Sequence, residues 1–467
     1  MIWHIAKREL YENLNSLRFG LTTLLLLALM LTNAVVHLRE HPKRMQKYHD
    51  AVTASLNVLR ARADNLYELV KRGPGKLYKK PSSLHFCADG GEAVLPNVVN
   101  GGGGNWSWAD GLSSIWRLKY PSVTPNLDNI EPDVTKVDWA FIIGYVLSLV
   151  ALLFTFDAIS GERERGTLRL MLANAIPRHA VLFGKFFGAL VSMLIPFTIA
   201  VLMNLLVLST SRSVQLDADA WGRLGIIFGI ALLYTCLFLA LGLLVSARVQ
   251  RSAVSLVILL LTWVTLVVFT PNTLASIASG FSSPMSADEF RKRVAQTEGA
   301  LRMKYATYDE NQPQKRRREL AAYVTEDAQQ NERLNQERLS QQLAQIQEAR
   351  SITRISPVAM VQNLFEAFAG TGFERHTQFL ENVRSYARQF REFVTETDRH
   401  DAKSRHAVGV REGMSQKEVA MEAIPKFRDE LSLNRDFNTT AMDMLLLALF
   451  FIVLMSGAYL AFVRVEI

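Results

Sequence analysis

The chain has 467 residues, 49% of them apolar, with 52 lysines and arginines against 44 carboxylates and only two cysteines. Its formal charge of +8 is scattered among acidic residues with no aromatic-interleaved basic patch, which argues against a nucleic-acid partner. Cys87 and Cys236 lie far apart, one in a polar stretch and one in an apolar one, and no Cys-x-x-Cys occurs, so neither a disulfide framework nor a thiol-based metal or redox centre is expected.

The apolar residues are bunched. Six segments, 19–36, 139–156, 181–209, 224–246, 253–270 and 444–463, are long enough to cross a hydrocarbon layer of ~30 Å, which takes roughly 17–25 helical residues. An all-α integral membrane protein with six transmembrane helices is expected. Ahead of the first, residues 1–18 place Ile2, Ile5, Ala6, Leu10, Leu14 and Leu17 near helical spacing, with Glu9 as a polar intruder. Lys7, Arg8 and Arg18 flank that stretch, so it reads as an interfacial helix on the cytoplasmic face. With an amphipathic stretch before it and no small-x-small site after it, the first apolar segment does not read as a cleavable signal peptide.

Residues 37–138 form a first insertion. A helix over 45–69 can continue from the first span; beyond it Gly73-Pro74-Gly75, Pro81, Pro96, the four glycines 101–104, Pro121, Pro125 and Pro132 punctuate the chain. The glycine run predicts a flexible loop, because the G-x-x-x-x-G-K-[ST] phosphate cradle is absent here and elsewhere in the chain. Trp106, Trp108 and Trp116 are expected to pack a small domain or to sit at the membrane interface.

The second and third apolar segments are separated by a charged interruption, with 157–185 reading DAISGERERGTLRLMLANAIPRHAVLFGK. Glu162, Arg163, Glu164 and Arg165 alternate in charge between Gly161 and Gly166. The Thr167 hydroxyl can then cap a short helix, in which Leu168, Met171, Leu172 and Ala175 recur at i, i+3, i+4 and i+7 until Pro177 ends it. Such a helix lies on lipid or docks a partner; a plain solvated loop is the alternative.

Polar residues inside the spans are few: Thr22, Thr23, Asn33, Asn204 and Thr262. Lys185, near the start of the third span, is expected to snorkel to the cytoplasmic surface. No paired carboxylates or histidines sit within a span to carry a proton relay. His41, His49, His85, His376, His400 and His406 lack metal spacing and read as surface or core residues.

A second insertion, 271–443, is helical. Stretches 288–308 and 314–352 are charge-rich; Leu339, Leu343 and Ile346 keep a heptad-like spacing that Asn331 and Asn335 dilute, which predicts a long exposed helix or hairpin arm. Ser356-Pro357 opens a helix whose apolar face is Val361, Leu364, Phe365 and Phe368, ended by Gly370. Phe379, Val383, Tyr386, Phe390 and Phe393 make a second face, expected to pack on the first outside the membrane. Lysine and arginine in the short loops place both termini, the 157–185 loop and the Arg248–Arg251 loop in the cytoplasm and both insertions outside.

Glu162-Arg163-Glu164-Arg165-Gly166-Thr167-Leu168, followed by Pro177-Arg178 and Gly184-Lys185, resembles the cytoplasmic loop of ABC-2 type transporter permeases. Ile5-Ala6-Lys7-Arg8-Glu9-Leu10 resembles that family's interfacial helix. Ile355-Ser356-Pro357, with Ala369-Gly370-Thr371 and Phe379-Leu380, resembles the outer region of a subfamily with large extracytoplasmic insertions. The six-span plan covers the whole chain, and the two long insertions set it apart from typical members, whose outer loops are short.

The resemblance implies a type V exporter fold of six spans plus a largely helical extracytoplasmic domain. It implies that the 157–180 loop carries a coupling helix contacting an ABC ATPase, with Glu162, Arg163, Glu164, Arg165, Gly166, Thr167, Leu168, Met171 and Leu172 as the coupling residues. No catalytic, cofactor or metal residue is expected in this chain; ATP and Mg would be bound by the partner ATPase. A second permease of the same or a homologous chain, an extracytoplasmic partner and membrane lipids complete the expected partners, in a bacterial cytoplasmic (inner) membrane. The expected function is a permease subunit for efflux or extraction of a lipidic or amphipathic substrate. The rival is a membrane receptor or scaffold whose outer domain binds a partner without transport. A membrane-embedded lipid enzyme would need convergent carboxylates, histidines or metal ligands at the membrane boundary, which the sequence does not display.

Overall fold

Helix α1 (Ile2–Leu14) turns at Asn15 into α2 (Leu17–Ala63), whose start is capped by the Ser16 hydroxyl accepting from the Phe19 N–H. At 1.5 Å per residue the 47 residues of α2 run about 70 Å. That is more than twice a hydrocarbon core, so the second half of α2 stands clear of the apolar layer as a pillar. The computed structural model describes residues 1–90, 95–102, 115–121, 137–173, 176–211, 214, 216–278, 285–305 and 313–464. Trp106, Trp108, Pro125, Pro132, Ala175, Arg212 and the last two glycines of the 101–104 run fall outside them.

Among the described residues, six helices are long and apolar enough to cross a membrane: Leu17–Ala63, Trp139–Glu164, Arg178–Ser209, Ala218–Arg248, Ser252–Leu274 and Leu433–Val463. Each contains one of the six apolar segments read from the sequence. The chain is an all-α membrane protein. In chain order its remaining elements are α3 (Leu66–Arg72), strands β1 (Gly75–Tyr78), β2 (Val98–Gly101) and β3 (Leu118–Lys119), then α4 (Trp139–Phe141) and α5 (Ser148–Thr155), joined by a π-helical turn at Ile142–Leu147. Next come α6 (Ser160–Glu164), α7 (Thr167–Ala173), α8 (Arg178–Ser209) and α9 (Ala218–Arg248). The fifth span is α10 (Ser252–Trp263), a second π-helical turn at Val264–Phe269, and α11 (Thr270–Ala278). Beyond it lie α12 (Ala287–Lys304), α13 (Pro313–Thr353), α14 (Pro357–Ala369), α15 (Gly372–Arg399) and α16 (Leu433–Val463).

The spans close on α9, which packs against α5, α14 and α16, while α8 packs against α1 and α2. Their few polar groups bond across helices, as buried polar groups must. Asn204 donates from Nδ2 to Asn33 Oδ1 at 3.0 Å and to the Met30 carbonyl at 2.6 Å. Trp263 Nε1 donates to Ser148 Oγ at 2.9 Å, and Tyr234 donates to the Gly144 carbonyl at 2.8 Å. The last two reach the second span at and just after its π-helical turn.

A separate domain rises from the opposite end to α1. Its core holds Leu59, Leu66, Tyr67, Val99, Trp116, Leu339, Ile346, Phe379, Val383 and Phe390. A small antiparallel sheet, ordered β1-β2-β3, lines it, with Leu77 opposite Val99 and Gly101 opposite Leu118. This sheet went unread in the sequence, where the segment looks irregular. Trp116 fills the core and meets Phe390 edge-on at 5.5 Å, as the small-domain reading expects.

Of the two readings of the 314–352 stretch, a long exposed helix or a hairpin arm, the structure has the hairpin: α13 pairs with α12 through Arg293–Glu337 at 2.9 Å and Lys304–Glu326 at 2.7 Å, and it is not free along its length, since Leu339, Ile346 and Ala349 are buried. Asn331, read as diluting the stripe, is buried with its amide bonded to Asp327 at 2.9 Å. The two aromatic faces of α14 and α15 also part company. Val361, Leu364, Phe365 and Phe368 of α14 belong to the core of the spanning bundle, whereas Phe379, Val383 and Phe390 of α15 belong to the domain core. Helix α14 thus plugs the domain end of the bundle.

Charged pairs rivet domain to bundle. Arg223, buried in α9, donates from Nη1 to Asp436 Oδ2 at 2.7 Å, and Gln378 of α15 donates to the same carboxylate at 2.6 Å. Arg375 and Asp429, both buried, pair just ahead of α16.

Candidate coupling site

At the other end of the bundle, the chain between the second and third spans is pinned at several points. Arg18, at the foot of α2, reaches Asp157 with both terminal nitrogens, at 2.9 and 3.2 Å, and lies 4.8 Å from the Phe156 ring centre. Ser246, near the end of α9, accepts from the backbone N–H groups of Ile159 and Ser160, both at 3.0 Å. Glu164 accepts from the Ser252 hydroxyl at 2.6 Å and from its N–H at 3.3 Å. The carboxylate thereby caps the first turn of the fifth span, where free N–H groups favour an anion.

The strongest pin is a buried charge cluster. Lys185 donates to Glu9 Oε1 at 2.5 Å and to Glu162 Oε1 at 2.7 Å, with only 2% of its side chain exposed. The expected snorkel to the surface is therefore wrong. The reason is the close approach of α1: a Cβ at Gly184 would lie 2.7 Å from the Ile5 Cβ, and one at Gly188 would lie 2.6 Å from the Glu9 Cβ. Glycine at both positions lets α1 seal the ammonium beneath it. Asn13 adds a bond to Ser192 Oγ at 3.1 Å. Burial pushes the Glu9 carboxyl above the usual carboxylate range, and the Lys185 ammonium draws it back.

Glu162 and Glu164 are thus both tied to the bundle, Glu162 half-buried and Glu164 exposed. After Arg165 the chain reverses at Gly166, whose φ of +73° favours glycine over L side chains. The Thr167 hydroxyl, at the first residue of α7, donates back to the Glu162 carbonyl at 3.2 Å. Leu168, assigned from spacing to a partner-facing stripe, is 4% exposed and lies in the bundle core, with Met171 packed partly buried against the same core. The tight turn at Gly166 folds that stripe back onto the spans. Leu172's side chain is outside the described residues. Arg165, Thr167, Arg169 and Ala173 are exposed, and Leu170 is 71% exposed. Pro177 then precedes α8, and Arg178 donates to the carbonyls of Phe462 and Val463 at the end of α16.

A short crest, Arg165–Ala173, exposed except on its Leu168 side, therefore follows a base tied to α1 and to the spans around it. Sequence reasoning missed Glu9, Lys185, Ser246 and Ser252, since partners so far apart in the chain leave no local pattern. The one usable signal was the Gly184/Gly188 pair, spaced one helical turn apart beside Lys185. Among the described residues no group of three histidines, cysteines or carboxylates is placed to hold a metal ion.

Fold and loop together define a membrane-spanning subunit of the transporter class, and the chain belongs to the ABC-2 family transporter proteins, whose family model matches residues 3–466. It is similar to a probable ABC transporter permease protein NosY of Pseudomonas aeruginosa, 36% identical over 113 residues, which is 23% of this chain and 40% of that relative. It is also similar to the protein of the same name from Stutzerimonas stutzeri, 43% identical over 54 residues, 12% of this chain and 20% of the relative. The chain thus spans less than half the length of these curated relatives.

Proposed function

We propose that the chain is the permease subunit of an ATP-driven exporter, and that the Arg165–Ala173 crest receives the stroke of a separate ABC ATPase. The observation that carries this reading is the bracing of the crest: one loop is tied by ion pairs and hydrogen bonds to α1 and to the spans around it. A solvated connector needs no such base. In this reading ATP and Mg belong to the ATPase, the crest and both termini face the cytoplasm of a bacterial inner-membrane protein, and the domain faces outward.

Within the loop the coupling residues divide their roles. Glu162 and Glu164 hold the base, Leu168 and Met171 anchor α7, and Arg165, Thr167, Arg169 and Leu170 meet the ATPase. A second permease copy would cover the fifth span, of whose most apolar stretch 17% is buried, against 67% and 61% for the second and fourth. The exported substrate would be lipidic or amphipathic.

The test joins topology to partnership. A tagged full-length chain, purified from its own membranes, should bring down an ATPase whose hydrolysis depends on the permease. Thr167→Cys should label with an impermeant maleimide only after permeabilisation, and Ala402→Cys in intact cells. Labelling of position 167 from outside, or a chain that purifies without an ATPase, favours the receptor or scaffold reading instead.

A further inference from the structure

A cavity of about 420 Å³ lies between α13, α15 and the first turns of α16. Four arginines line it: Arg350, Arg354, Arg384 and Arg435. Three are already matched by carboxylates. Arg354 pairs with Asp443 at 2.7 Å, Arg435 reaches Glu381 with both terminal nitrogens, and Arg350 pairs with Glu366. Arg384 forms no close ion pair with a described residue; it acts on Glu381 at longer range, its guanidinium lies 6.0 Å from the centre of the Tyr120 ring, and Glu374 adds one more carboxylate to the lining. The Nε atoms of Arg350, Arg354 and Arg384 are buried without a hydrogen-bond partner, as is the Asp443 Oδ1 that Arg354 Nε faces at 2.7 Å. Buried donors almost always find acceptors; Arg354 and Asp443 can serve each other, which leaves the Nε–H groups of Arg350 and Arg384 to an acceptor that comes from elsewhere.

The position of the cavity limits what that acceptor is. Thr439, Thr440 and Asp443 form its wall on α16, immediately ahead of the apolar run of the sixth span. Leu343, Ala344 and Phe373 add an apolar side. A molecule seated here would keep an anionic group among the arginines while its apolar part followed the span. Arginine forks hold phosphate oxygens in pairs, a geometry lysine does not offer.

We propose that this cavity binds the phosphate of an amphiphile headgroup at the domain end of the sixth span, with the Nε–H groups of Arg384 and Arg350 as donors to it. The proposal rests on the membrane placement of α16 and names the substrate class of the permease reading. It does not depend on ATP coupling.

The test uses the purified full-length chain in detergent, with no ATPase present. Binding of dioleoylphosphatidylglycerol, of dioleoylglycerol, which lacks the phosphate, and of inorganic phosphate is followed by native mass spectrometry and by thermal shift. Phosphatidylglycerol should bind saturably and more tightly than dioleoylglycerol. Arg384→Gln should weaken it about tenfold or more, the loss expected for one charged hydrogen bond. Ala344→Trp fills the cavity from an exposed position without touching an arginine, and should also weaken binding if Arg384→Gln proves unstable. Competition by inorganic phosphate would support the arginine contact and show that the free ion can enter; its failure to compete would support a requirement for the lipid. Equal binding of the two lipids, or wild-type binding in both variants, would overturn the proposal. A chain that binds phosphatidylglycerol here yet recruits no ATPase would sink the exporter reading and leave this site standing.

Discussion

Lys185 is the residue on which the loop end of the molecule turns. Sealed beneath α1, it neutralises two carboxylates from opposite ends of a long sequence separation. Removing one partner of a buried ion cluster leaves uncompensated charge and costs about 3–5 kcal/mol. Lys185→Met should therefore lower the melting temperature sharply, while Lys185→Met with Glu9→Gln and Glu162→Gln should recover much of the loss. Equal melting of the single and triple variants would show that the cluster does not hold the loop. The sequence displayed the lysine and both acids but not their meeting, which depends on α1 folding back over α8.

A second residue sets a pH response in the domain. His376 is buried in α15, and burial, with Lys79 and Arg375 nearby, lowers its pKa from 6.5 to about 3. Its folded value lies below its unfolded one, so the unfolded chain takes up the proton first. The contribution to stability is present above pH 6.5 and is lost as pH falls toward about 3. His376→Gln should flatten the decline in melting temperature below pH 6.5; an unchanged decline would assign acid sensitivity to other groups.

Among the elements, α7 shows how far spacing carries and where it stops. The i, i+3, i+4 pattern correctly announced a short helix with one apolar side, yet periodicity cannot say whether that side faces a partner or the protein's own core. Gly166 decides, by reversing the chain so that Leu168 points inward. Leu168→Ala should cost about 2–5 kcal/mol of local packing and open the loop to trypsin at Arg165 and Arg169, a change visible in limited proteolysis. Protection equal to wild type would mean that Leu168 does not anchor the helix. The aromatic faces of α14 and α15 carry the same lesson. Both stripes were legible, but the core each joins depends on where α16 and α9 stand. The three short strands gave no period-2 run long enough to read.

At the scale of the whole molecule, two levels of organisation coexist. The six spans were legible because hydrocarbon thickness imposes a length that few other elements match. Their mutual arrangement was not, because residues such as Asn33, Asn204, Arg223 and Asp436 join parts of the chain far apart in sequence. The result is a bundle with a braced crest at one end and an anchored domain at the other. In the proposed reading, a displacement applied to the crest passes through the same braces to the spans that carry the domain.

The most direct test of that account measures ATPase retention and permease-dependent ATP hydrolysis in a tagged full-length chain carrying Arg169→Glu and Leu170→Asp. Both positions are exposed, so the melting temperature should stay at the wild-type value. Loss of an interface anchor costs about 2 kcal/mol or more, so ATPase affinity should fall about tenfold or more. A double variant that keeps its ATPase and its coupled hydrolysis at wild-type levels would contradict the assignment of this crest as the coupling element.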